Sequence, residues 1–95
     1  MRLHESIGHI VHLRRNKIGM TLRQLSTKSN ISLGYLSEVE RGKKEASSDI
    51  VENIAYALDV PSYVIVQEAG LLMEREELRV PYAWEVELDN STARV

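Results

Sequence analysis

Thr21-Leu22-Arg23-Gln24-Leu25-Ser26, followed after four residues by Ile31-Ser32-Leu33-Gly34-Tyr35-Leu36-Ser37-Glu38-Val39-Glu40-Arg41-Gly42-Lys43, is the stretch whose reading decides the fold. Thr21 and Gln24 have the spacing of a capping box, in which each side chain satisfies the other residue's backbone amide. The helix they open is short, with Leu22 and Leu25 inward, and it runs out near Ser29-Asn30. After a tight turn Ser32 caps a second helix, with Leu36 and Val39 inward and Gly42 placed for a left-handed stop. Two capped helices joined this way form a helix-turn-helix. The geometry suits double-stranded DNA: the first helix crosses the phosphate backbone and the second enters the major groove, where base edges carry a unique code.

Outward from this pair the chain stays helical. Leu3, Ile7, Ile10, Val11, Arg14 and Ile18 fall on one stripe of a preceding helix that ends near Gly19. Ser47 or Ser48 caps a fourth helix with Ile50, Ile54, Ala55 and Leu58 on one face. Pro61 suits the first position of a fifth, carrying Ile65 and Val66 and stopping at Gly70. The reading is all-α: a five-helix DNA-binding domain over residues 1–70 and a C-terminal extension over 71–95. In that extension Leu71 to Leu78 reads as a short sixth helix. After Pro81 the alternation Tyr82, Trp84, Val86, Leu88 reads as a strand or an extended arm.

Charge is unevenly spread behind a net value of -2. Residues 1–62 carry a balance of +2 and residues 63–95 one of -4. Between Arg14 and Lys44 eight basic residues face only Glu38 and Glu40, and local field matters more than net charge for a polyanionic partner. There is no cysteine, which excludes disulfides and thiolate metal sites. The longest apolar run, Ile54-Ala55-Tyr56-Ala57-Leu58, is far short of the roughly 20 residues that span a bilayer. With no signal peptide at its start, the chain is expected to be cytoplasmic, without a membrane partner.

The outer positions near the start of the third helix, Leu33, Gly34, Ser37 and Glu38, are the candidate base contacts. Glu38 can accept from a cytosine amino group, Ser37 reaches several bases, and Leu33 packs on a thymine methyl. Gly34 either brings backbone close to the groove floor or relieves a crowded first turn. His4, His9 and His12 share one helix, but they lack an evident second shell and read as surface rather than metal ligands. Glu74, Glu76 and Glu77 have no partner motif for catalysis, and no phosphate loop, nucleophile elbow or zinc spacing occurs. No enzyme, cofactor, metal or small-molecule ligand is expected.

The two quoted runs, with Ala57-Leu58-Asp59-Val60-Pro61 beyond them, resemble the five-helix domain of the phage-repressor (Cro-type, or XRE) family over about residues 5–70. More narrowly, the stretch from Ser32 to Pro61 resembles the actinobacterial Clp-protease gene regulators. The resemblance implies an ion pair between Arg15 and Glu40 that ties the first helix to the end of the third. It implies phosphate contacts from Arg23, Arg41, Lys43 and Lys44, which set register without reading bases. The amides around Ser47 and Ser48 can add another. Leu22 stands where many family members carry a phosphate-binding Gln.

The expected function is that of a transcription regulator, an activator of Clp protease and chaperone genes, acting as a homodimer on a palindromic operator. RNA polymerase is the further partner that activation implies. Dimer candidates are Tyr63 and Val64 on the fifth helix and Leu71, Leu72, Leu78, Tyr82 and Trp84 beyond it, with Trp84 as anchor. The alternatives are an antitoxin-type autorepressor whose tail binds a toxin, and an adaptor that has lost DNA binding.

Overall fold

The computed structural model describes residues 1–77, which form five helices: α1 (Leu3–Lys17), α2 (Leu22–Ser29), α3 (Leu33–Glu40), α4 (Ser48–Ala57) and α5 (Ser62–Glu77). Their starts follow the capping residues. The Thr21 hydroxyl accepts from the Gln24 amide at 3.0 Å while Gln24 Oε1 accepts from the Thr21 amide at 2.8 Å. Ser32 Oγ accepts from Tyr35 N at 3.2 Å, and Ser47 Oγ, rather than Ser48, accepts from Ile50 N at 3.3 Å. Four stops use the left-handed region: Gly19 follows α1 at φ 72°, Asn30 closes α2 at φ 59°, Gly42 follows α3 at φ 74° and Asp59 follows α4 at φ 59°. Each capping bond replaces one that a terminal amide or carbonyl would otherwise make to water.

One apolar core joins all five helices. Val11, Leu25, Leu36, Val39, Ile54 and Ile65 are fully buried at its centre. Around them lie Ile7, Ile10, Val51, Ala55, Leu58 and Ala69, with Leu22, Ile50 and Leu72 partly covered at the edge. Gly8 brings α1 hard against α3: an added Cβ would collide with the Val39 carbonyl group. On the other side of α1, Arg14 holds α5, its Nε and Nη2 donating to the Glu68 carboxylate at 2.6 and 2.7 Å.

Three sequence expectations are corrected. Gly70 does not end α5; the helix runs on to Glu77, and the separate helix expected from Leu71 is its continuation. Gly70 does not adopt a positive φ, and Ile65, Ala69 and Leu72 form one stripe against the core that continuing the helix preserves. Leu3 and Ile18, placed on the inner stripe of α1, are 50 % and 56 % exposed, because they sit at helix ends beyond the reach of neighbouring helices. Val66 faces outward, leaving Ile65 and Ala69 as the buried residues of α5. The alternation after Pro81 lies outside the described residues.

Candidate nucleic-acid interface

The start of α3 is raised on its cap with its outer face open. Gly34 is exposed, and a Cβ built on it would meet nothing within 4 Å. Crowding therefore does not account for this glycine. Leu33, Ser37 and Glu38 are half-buried beside it, and neither the Ser37 hydroxyl nor the Glu38 carboxylate bonds to another described residue. All four candidate base-contact positions thus lie on one face, with their polar atoms available.

The loop after α3 carries the basic candidates. Lys43 N donates to Glu38 O at 2.9 Å and Gly42 N to Val39 O at 3.0 Å, reversing the chain over the helix end. Tyr35, which carried no role in the sequence pattern, pins the loop at Glu45. Its hydroxyl donates to Glu45 O at 2.7 Å, and Lys44 Nζ stands 5.8 Å from its ring centroid, within cation–π range. Lys43 and Lys44 are exposed on this pinned loop. Arg41 is also exposed, its Nε donating to Ser37 O at 3.3 Å and its other nitrogens uncommitted. Arg23 is exposed on the first turn of α2. At α4 the Ser47 hydroxyl is spent on its own cap, so an anion there would rely on backbone amides, with Asp49 in the same turn opposing it.

Behind α3 stands a buried polar cluster. Arg15 Nε and Nη2 donate to Glu40 Oε2 and Oε1 at 2.7 and 2.9 Å, and Nη1 donates to Met20 O at 2.8 Å. The two side chains are only 11 % and 6 % exposed, too little for this to be a solvent-screened surface pair. His12 adds a third member that sequence reasoning missed. Asn16 Nδ2 donates to His12 Nε2 at 3.0 Å, which leaves Nδ1 to donate to Glu40 Oε1 at 2.8 Å. Burial pushes the Glu40 carboxyl upward, but the hydrogen bonds from Arg15 and His12 outweigh it and hold the group below its ordinary range. His12 and Glu40 are 28 residues apart, so no local pattern could have paired them.

Of the dimer candidates, Tyr63 is 61 % and Leu71 60 % exposed. Val64 is half-buried and Leu72 packs partly on the chain's own core. Leu78, Tyr82 and Trp84 lie outside the described residues. Among the described residues no group of three or more His, Cys, Asp or Glu is placed to hold a metal ion, and no helix is long and apolar enough to cross a membrane.

Comparison with known proteins agrees with this geometry. Residues 11–65 match the family model described as helix-turn-helix. The chain is 44 % identical over 73 residues to the transcriptional regulator ClgR of Mycobacterium tuberculosis, a match covering 77 % of this chain and 65 % of that protein. It thus spans somewhat less than two thirds of that relative's length. The crystal structure of the clp gene regulator ClgR from Corynebacterium glutamicum superposes with a TM-score of 0.74 at 38 % identity, covering 77 % of this chain and 95 % of that one. The restriction-modification controller protein C.Esp1396I, in its structure bound to a 25 base pair operator site, superposes at 0.67 with 26 % identity over 73 % of this chain and 91 % of that chain. These relatives are regulators rather than enzymes, and the chain itself belongs to the helix-turn-helix family, in the XRE branch that its capped helix pair resembles.

Proposed function

We propose that the chain binds double-stranded DNA as a transcription regulator of the Clp gene regulator type, with α3 in the major groove. The observation that carries this reading is the outer face of α3. It is open at Gly34, has unspent polar atoms at Ser37 and Glu38, and is flanked by exposed Arg23, Arg41, Lys43 and Lys44. Phosphate contacts from these cations set the register, and the α3 side chains read bases. Its similarity to the clp gene regulator ClgR supports control of clp genes; activation of protease and chaperone genes is the further role that the sequence resemblance implies.

One such unit touches too few base pairs to select a single site in a genome, so we further propose a homodimer on a palindrome, its half-sites about 34 Å apart. Tyr63 and its neighbours on the outer side of α5 offer the apolar surface for it. Four cations per protomer neutralise about eight phosphates in the dimer, so affinity should fall with salt at a log–log slope of about -7. Titrating a labelled duplex across salt concentrations tests this, and a slope shallower than about -2 would refute DNA binding through this face. Sedimentation of the free protein tests the dimer separately.

A further inference from the structure

Between α1 and α5, away from the α3 face, runs an open groove of about 310 Å³. Its floor is apolar: Ile10 and Leu13 from α1, Leu71 and Leu72 from α5. Leu13 and Leu71 are 49 % and 60 % exposed, so both walls present apolar surface to the groove. Its rim is basic. Arg75 forms no ion pair with a described residue, Lys17 stands near enough to Glu68 to help lower its carboxyl below the ordinary range, and Arg14 is bound to Glu68 directly.

The chain carries a segment with the complementary pattern. From Tyr82 to Asp89, apolar Tyr82, Trp84, Val86 and Leu88 alternate with Ala83, Glu85, Glu87 and Asp89. In an extended conformation one side of this segment is apolar and the other acidic. The groove's α5 wall ends at Arg75, two residues before α5 itself ends at Glu77. Residues 78–81 can reach about 13 Å, enough to turn back from that end to the groove. The α5 wall from Glu68 to Arg75 is about 10 Å long, and successive same-side residues of an extended chain lie about 7 Å apart, so the groove takes two of the four apolar side chains.

We infer that the α1–α5 groove is the docking site of the chain's own C-terminal segment, with Trp84 and one neighbour seated on Leu13 and Leu71 and the acidic side chains facing away from the floor, within the field of the basic rim at Lys17 and Arg75. The occupant is assigned to the same chain because residues 78–81 span the distance back to the groove and so short a tether holds the segment there at an effective concentration of about millimolar; the partner's segment in the proposed dimer is the competing occupant, which the cross-linking below distinguishes. Docked in this way, the segment straps α1 to α5. The inference goes beyond the proposed DNA binding and does not depend on it.

The chain has no cysteine and one tryptophan, which makes the test direct. Leu13→Cys is combined in turn with Trp84→Cys and with Val86→Cys, the second pair keeping the indole, and each protein is oxidised mildly. The expected product is an intrachain disulfide, seen as a reducible mobility shift of the monomer. The reference pair, Tyr56→Cys with Trp84→Cys, places its first thiol on exposed α4 and should not form it. A covalent dimer would mean that the segment reaches a partner as an arm, and cross-linking no better than the reference pair would mean that it does not visit the groove. Either result overturns the proposal. In the unaltered protein Trp84 emission should be blue-shifted and shielded from iodide. Leu13→Glu, at an exposed position, should shift it to the red while leaving helical circular dichroism unchanged; emission that is already water-like and unaffected by Leu13→Glu also overturns it.

Discussion

Gly8 and Gly34 are both helical glycines, and a methyl group would meet opposite surroundings at the two. At Gly8 it would collide with the Val39 backbone, which cannot swing aside as a side chain can. At Gly34 it would stand in open space. Gly8→Ala should therefore cost about 1–3 kcal/mol or abolish folding. Gly34→Ala should raise stability by up to about 1 kcal/mol through helix propensity. The same Gly34→Ala change should weaken operator binding if the backbone there lies against the groove floor. Thermal melts of both variants, with duplex titration of the second, check the pair. A Gly34→Ala protein that is more stable and binds unchanged would remove Gly34 from the interface and leave its glycine unexplained.

At the level of elements, the starts of α2, α3 and α4 were legible because each is announced within four residues by a side chain that serves one job, the capping of amides. The end of α5 was not legible by that rule. A glycine permits a stop without compelling one, and the apolar stripe from Ile65 through Ala69 to Leu72 rewards continuing. The link between α1 and α3 was half legible: Arg15 and Glu40 came through the family resemblance, whereas His12 and the close approach at Gly8 depend on contacts far apart in sequence. This polar link has a pH signature. Glu40 titrates lower in the folded state than in the unfolded chain, so its contribution is fully present above the ordinary carboxylate range near pH 4.3 and is lost as pH falls through the depressed folded value. Glu40→Gln should cost about 3 kcal/mol at neutral pH, since it leaves Arg15 buried without its counter-charge. Urea midpoints of wild type and variant should converge as pH drops below about 4. A gap that stays constant with pH would mean that the carboxylate's charge contributes nothing.

For the molecule as a whole, the run of α5 through Gly70 moves the workable boundary of the folded unit. Cutting after residue 70 removes Leu72 from the core edge and takes Leu71, Leu72 and Arg75 out of the α1–α5 groove. A chain ending at residue 77 keeps every described helix. The 1–77 protein should melt cooperatively, whereas the 1–70 protein should lose about 1 kcal/mol from the missing contact of the partly buried Leu72 alone. Calorimetry of the two truncations decides it, and equal melting temperatures would show that the last turns of α5 add nothing to the fold.

The open outer face of α3 has one more consequence. The helix is held from behind and from its ends: Leu36 and Val39 sit in the core, Glu40 is bound by Arg15, Ser32 caps the start, and the main chain around Glu38 and Gly42 closes the end. None of these attachments uses the side chains of Gly34, Ser37 or Glu38. Under the proposed function, the fold's thermodynamic requirements and the choice of DNA sequence are therefore written in separate letters of the same eight-residue helix. Target preference could drift over generations, or be reprogrammed by library selection at positions 34, 37 and 38, while the scaffold beneath stays unchanged.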